Sequence, residues 1–301
     1  MFIHFKKTIA LAILASTVIL AGSATAYHPA KPQKSASADS KTSSNKIAKK
    51  VDKKTDKKSP PKTDNVTKTT AKQAAATQDV IDHTPLEILL TKYVNSQGNV
   101  GYPQWHANQT DREALKTYLA QIASAPVDGY SSNARLAFYI NAYNAIVLDS
   151  ILSKWPVKSV MTLDGFFDKD KHTIAGQTMT LDDLEHNKVI RVQFQEPRIH
   201  FVLVCAAKRC PRLLSTAMTA VNLEKNLESS AREFIPKATK VEGNKVYTSQ
   251  LFNWFKTDFE KHSGSIPAYL TRYVSADIAQ VLNNGTSTIE FTEYDWSINK
   301  Q

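Results

Sequence analysis

Between Leu136 and Leu148 the chain reads LAFYINAYNAIVL, and its only polar side chains apart from the tyrosine hydroxyls are Asn141 and Asn144. The surrounding segment 133–155 has helical spacing with no internal glycine or proline, and Pro156 ends it. A helix that is apolar all round has to lie at the centre of a core, so the other elements must be arranged around this one. Asn141 and Asn144, three residues apart, fall on one side of it. Buried amides need partners, and the pair is expected either to tie loops to the core or to line a site.

The N-terminal 26 residues follow a different rule. Lys6 and Lys7 precede an apolar run from Ile9 to Leu20, and small residues stand at Ala24 and Ala26. That is the layout of a secretory signal cleaved after Ala26, and the run falls short of the roughly 20 residues a membrane-crossing helix needs. Ser23 occupies the place where a lipoprotein would carry an acylated cysteine. The expected location is therefore periplasmic or secreted.

Residues 27–80 hold 13 lysines against 5 aspartates among serine, threonine, alanine and proline, with few large apolar side chains. Such a composition does not offset the entropy of ordering, so a disordered tether is expected. Its cluster Lys46–Lys58 could contact anionic envelope polymers. Residues 81–301 carry 23 basic and 23 acidic side chains, so the net charge of +10 lies outside the domain. A neutral domain has no electrostatic footprint for nucleic acid.

Segment 81–301 is long enough for one core without cross-links. The spacing predicts helices over 84–94, 110–123 and 133–155, with a turn and short strand at 98–105. A hairpin is expected around Gly176-Gln177 and a helix start at Thr180, with Asp183 three residues on. RIHFVLVC, residues 198–205, reads as a buried central strand, and Cys210-Pro211 as the start of a helix running to about Phe234. Strand, two or three helices and a final strand follow. Helices outnumber strands without regular alternation, which gives an α+β class: a helix-rich single domain with the long helix packed on a small mixed or antiparallel sheet.

Cys205 and Cys210 are the whole thiol inventory. If Cys210 caps a helix, the helix N-terminus and Lys208, Arg209 and Arg212 favour its thiolate. A disulfide suits an oxidising compartment, and inert buried thiols are the remaining option. A nucleophilic thiol needs a base, for which His186 and His200 are candidates. On a strand His200 and Cys205 would point to opposite faces. Glu185 falls between Leu181, Leu184 and Val189 on a helical wheel, as a shifted acid/base or an ion-pair partner. The two histidines and two cysteines include zinc ligand types, but their spacing matches no close-paired finger, so neither metal nor other cofactor is expected.

LAFYINAYNAIVL, IAGQTMTLDDLEH (174–186), PRIHFVLVCAAKRCP (197–211) and YDWSIN (294–299) together resemble the domain-of-unknown-function 547 family. The resemblance marks Asn141, Asn144, Glu185, His186, His200, Cys205 and Cys210 as the matching positions. It implies a layout similar to papain-like cysteine hydrolases, and some relatives are joined to glutaredoxin-type domains. In the papain-like pattern, however, the nucleophile starts the central helix, whereas here both cysteines follow His200.

These readings converge on a thiol-centred site. Cys210 or Cys205 is the nucleophile, His186 or His200 the base, Glu185 the orienting group, and Asn141 and Asn144 the polar support. The reaction expected is acyl transfer or amide hydrolysis on an envelope peptide or glycopeptide. The alternatives are a non-catalytic envelope binding or scaffold domain with a Cys205–Cys210 disulfide, and thiol–disulfide exchange.

Overall fold

A computed structural model describes residues 78–301, so the expected signal peptide and nearly all of the expected tether lie outside the described residues. Asp79 and Val80 already belong to the packed body: Val80 is buried, and the Asp79 carboxylate accepts from the Ala220 amide at 2.6 Å.

Helix α1 spans Thr84–Tyr93, with Pro85 in its first turn. A turn follows, and Val94 bridges to Val100 before the short α2, Tyr102–Ala107, which takes the place of the expected strand. Helix α3, Gln109–Ser124, is capped by the Asn108 side chain. Helix α4, Ser132–Ser153, is capped by Ser131, and 16 of its 22 residues are buried. By length and apolarity α4 could cross a membrane, but that apolar surface is buried inside the protein. Its neighbours are α2, α3, the later helix α5 (Ile190–Phe194) and the turn before α5.

Strands β1 (His172–Ile174) and β2 (Gln177–Met179) form the expected hairpin. Ala175 and Gly176 both have positive φ in its two-residue turn, the backbone that matches the twist of paired strands. Their amides donate to the Ile122 and Ala123 carbonyls, which would otherwise be unpaired at the end of α3.

The run 198–205 is buried but is not a strand. Residues Pro197–Phe201 form a 3-10 helix, opened by Glu196, whose carboxylate accepts from the Arg198 amide, and the chain then continues irregularly to Cys205. Apolarity specified burial here without specifying period, and side chains of α4 satisfy the backbone where a neighbouring strand would have done so. Helix formation after Cys210 is also corrected. Residues 211–222 are irregular, and α6 begins at Leu223 and runs to Ala238. Cys210 therefore caps no helix, and the dipole argument for its thiolate falls away.

The C-terminal part holds β3 (Lys240–Glu242), β4 (Lys245–Thr248), α7 (Leu251–Trp254), α8 (Lys256–Ser263), α9 (Ile266–Leu270), α10 (Ala276–Asn283) and β5 (Thr288–Phe291). β4 pairs antiparallel with β3 and parallel with β5, a mixed sheet. The α+β class and helix-rich character hold. Two apolar clusters result, one around α4 and one around Phe201, Phe252, Phe259 and Tyr269.

Gly98 shows how tightly the loop after the cysteines is held. Its φ is +80°, and an added Cβ would lie 2.6 Å from the Leu213 amide nitrogen and 2.9 Å from the Arg212 Cα. Gly98→Ala combines a left-handed backbone with a clash against main chain. A loss of about 2 kcal/mol or more is expected, read as a lower denaturant midpoint; an unchanged midpoint would show that the 211–214 loop yields freely.

Candidate functional site

Glu185 and His186 come from a π-turn, Asp183–Asn187, whose start is fixed by the Asp183 amide donating to Thr180 Oγ1 at 3.0 Å. Such wide turns recur at functional sites. This one directs consecutive residues into one cavity of about 50 Å³, where they meet His200, Cys205 and Cys210. The cavity lies where the two apolar clusters meet, with Leu203 contributed by one and Phe255 by the other.

The charged groups form a chain. Glu185 Oε1 lies 3.7 Å from His186 Nδ1 and 3.7 Å from His200 Nδ1. His200 Nε2 is 2.8 Å from Asp258 Oδ2, and Arg191 donates to both Asp258 oxygens at 2.6 and 2.8 Å. His186 Nε2 is 3.8 Å from Asp182 Oδ1. The His200 ring is fully buried and stacks on Phe255 with centroids 3.7 Å apart.

Burial pushes the Glu185 carboxyl up, but the flanking His186 and His200 imidazoles, with Arg191 further off, outweigh it and hold the group at about 2. Asp258 follows the same logic. Its burial is outweighed by hydrogen bonds from His200 and Arg191, which keep it well below the usual carboxylate range.

Cys205 and Cys210 form a disulfide. The Tyr294 hydroxyl donates to Cys210 Sγ at 3.2 Å and sits 3.7 Å from Cys205 Sγ, and burial raises the tyrosine's pKa. Ala206, between the cysteines, has φ +61°, a strained conformation for an alanine. The loop is held against the C-terminus: the Asn299 amide donates to Ala206 O, Lys208 to Ser297 O, and Arg209 to Asp295 O. The YDWSIN stretch is thereby the support of the cysteine loop.

The seven residues singled out from the sequence fall into two groups. Glu185, His186, His200, Cys205 and Cys210 line the cavity. Asn141 and Asn144 do not line it; they face a separate small cavity with Val202, Leu213 and Met218, where they act as posts. Asn144 donates to Val202 O and accepts from the Val204 amide, and Asn141 does the same for both backbone groups of Met218. The expected separation of His200 from Cys205 on opposite strand faces disappears with the strand.

Sequence reading missed Asp258, Arg191 and the aromatic residues Trp254, Tyr294 and Trp296. Asp258 had a legible signal, a carboxylate between Phe255 at the N-cap and Phe259 within one helix; Arg191 had none. Among the described residues, no group of three or more His, Cys, Asp or Glu side chains is arranged to hold a metal ion.

Residues 127–235 match a family model described as "Protein of unknown function, DUF547". This stretch belongs to the DUF547 family. No curated protein and no solved structure matches the chain. The DUF547 stretch contains both asparagine posts, the Glu185–His186 turn, Arg191, His200 and both cysteines. Asp258 and the Trp254, Tyr294 and Trp296 cluster come from the chain beyond it, so the cavity is completed by sequence outside the DUF547 match.

Proposed function

We propose that this is an exported cell-envelope protein whose domain, with Cys205–Cys210 reduced, catalyses thiol-dependent acyl transfer or amide hydrolysis on a peptide or glycopeptide. The observation that carries the reading is that both sulfurs share the wall of one small cavity with Glu185 and His186. A reduced cysteine would lose its proton to His186 and add to the substrate carbonyl. The amine would leave with that proton, and water would cleave the resulting thioester. Glu185 orients the imidazole, while His200, held by Asp258 and stacked on Phe255, is a positioning residue. The disulfide is then a locked resting form.

A second reading, a non-catalytic binding domain with a permanent disulfide, has its own support. Each nitrogen of His186 and His200 faces a carboxylate, and the polar contact at the sulfurs is Tyr294.

p-Nitrophenyl acetate separates the two. Protein treated with reductant is expected to release a stoichiometric burst of p-nitrophenol and to carry an acetyl group on one cysteine by mass spectrometry, whereas untreated protein gives neither. His186→Ala should slow the burst by about a hundredfold or more. A disulfide that resists mild reductant, or a burst unchanged by His186→Ala, rejects the catalytic reading.

A further inference from the structure

Six aromatic side chains, Tyr143, Phe167, Trp254, Phe255, Tyr294 and Trp296, share the cavity wall with the carboxylate of Glu185. Trp254, Tyr294 and Trp296 form one cluster with ring centroids 4.7 to 5.6 Å apart, and each of the three retains some exposure. Aromatic faces are electron-rich and attract cations, most strongly where water is excluded. Glu185 is buried and lines the cavity, with the His186 and His200 imidazoles each 3.7 Å from its Oε1. An anion would meet that carboxylate as a like charge, and an uncharged ligand would gain no ion pair from it.

We propose that this cavity binds a primary alkylammonium group, its N–H bonds directed to Glu185 and its first methylenes against the Trp254–Tyr294–Trp296 cluster. A volume of about 50 Å³ accepts such a head group and leaves the rest of the ligand outside the mouth. As the substrate class of the site this inference rests on the proposed function, but the binding itself requires no reduced thiol.

The test is a tryptophan-fluorescence titration of the oxidised, full-length protein at constant ionic strength. The probes are n-butylammonium, 1-butanol and butyrate. Butylammonium is expected to give a saturable change, at least about tenfold tighter than either comparison ligand, the size of a desolvated cation–aromatic plus ion-pair contribution. Trp254→Phe should diminish the signal, and Glu185→Gln should weaken binding by about the same tenfold. Where Glu185→Gln does not fold, the probe comparison on unaltered protein decides.

Equal binding of butanol or butyrate, absence of saturation, or undiminished binding by folded Glu185→Gln overturns the proposal. Ammonium binding without an acetyl burst from reduced protein would retain this inference and reject the thiol chemistry. A burst without ammonium binding would do the reverse.

Discussion

Asn144→Leu is expected to lower the unfolding free energy by roughly 2–6 kcal/mol, because it leaves two buried backbone groups without partners at about 1–3 kcal/mol each. The groups are the Val202 carbonyl and the Val204 amide, now held at 2.9 and 3.0 Å. For a domain of this size that corresponds to a fall in melting temperature of roughly 4–24 °C. Leucine keeps the branched shape of asparagine and is the bulkier residue, so no cavity opens and the loss reports the hydrogen bonds together with any overpacking. Residues 202–204 lead directly into Cys205, and the variant should therefore also speed reduction of the disulfide. Asn141→Leu, which frees both backbone groups of Met218, should destabilise similarly while leaving the reduction rate closer to that of the parent. A melting temperature for Asn144→Leu within about 2 °C of the parent would rule out the post, since that interval is under 1 kcal/mol at this size.

The second large effect is acid sensitivity. The folded pKa of Glu185 is about 2 against an ordinary 4.5. The unfolded chain binds more protons between those values, so stability rises with pH through that window. It is fully present above pH 4.5 and is lost as pH falls toward 2. The amount is on the order of 3 kcal/mol for a shift of this size. Asp258, also held below its usual range, adds in the same direction. Denaturant midpoints measured from pH 5 down to pH 2 should fall steeply for the parent protein and less steeply for Glu185→Gln. Retention of the full acid slope by that variant would place the proton uptake elsewhere.

Local patterns were sufficient at the hairpin and the long helix and misled at both segments flanking the cysteines. The hairpin at 172–179 was legible because turn chemistry is local: Ala175-Gly176 decides its own backbone. The helix 132–153 was legible because its apolar period and its proline stop lie within one segment. Residues 198–205 carried only apolarity, which a central strand and a buried 3-10 turn satisfy equally. Cys210-Pro211 resembled a helix start, but the backbone that follows is bonded to distant side chains. The Ala217 amide donates to Glu87, Met218 to Asn141 and Ala220 to Asp79. No window around Pro211 contains those partners.

The site shows the same division. By itself the sequence determined that α4 is buried and that its two asparagines need partners. It also identified Glu185, His186, His200 and both cysteines as the side chains with chemistry to offer, since burial, polarity and thiol content are properties of residues and short periods. Only the tertiary structure decided that these groups share one cavity. It alone joined the two sulfurs in a bond contacted by Tyr294, and placed His200 between Glu185 and Asp258. The Asp258 and Tyr294 contacts span chain separations of 58 and 84 residues. Contacts at that range are set by how helices and loops pack around a common core, which no local pattern encodes.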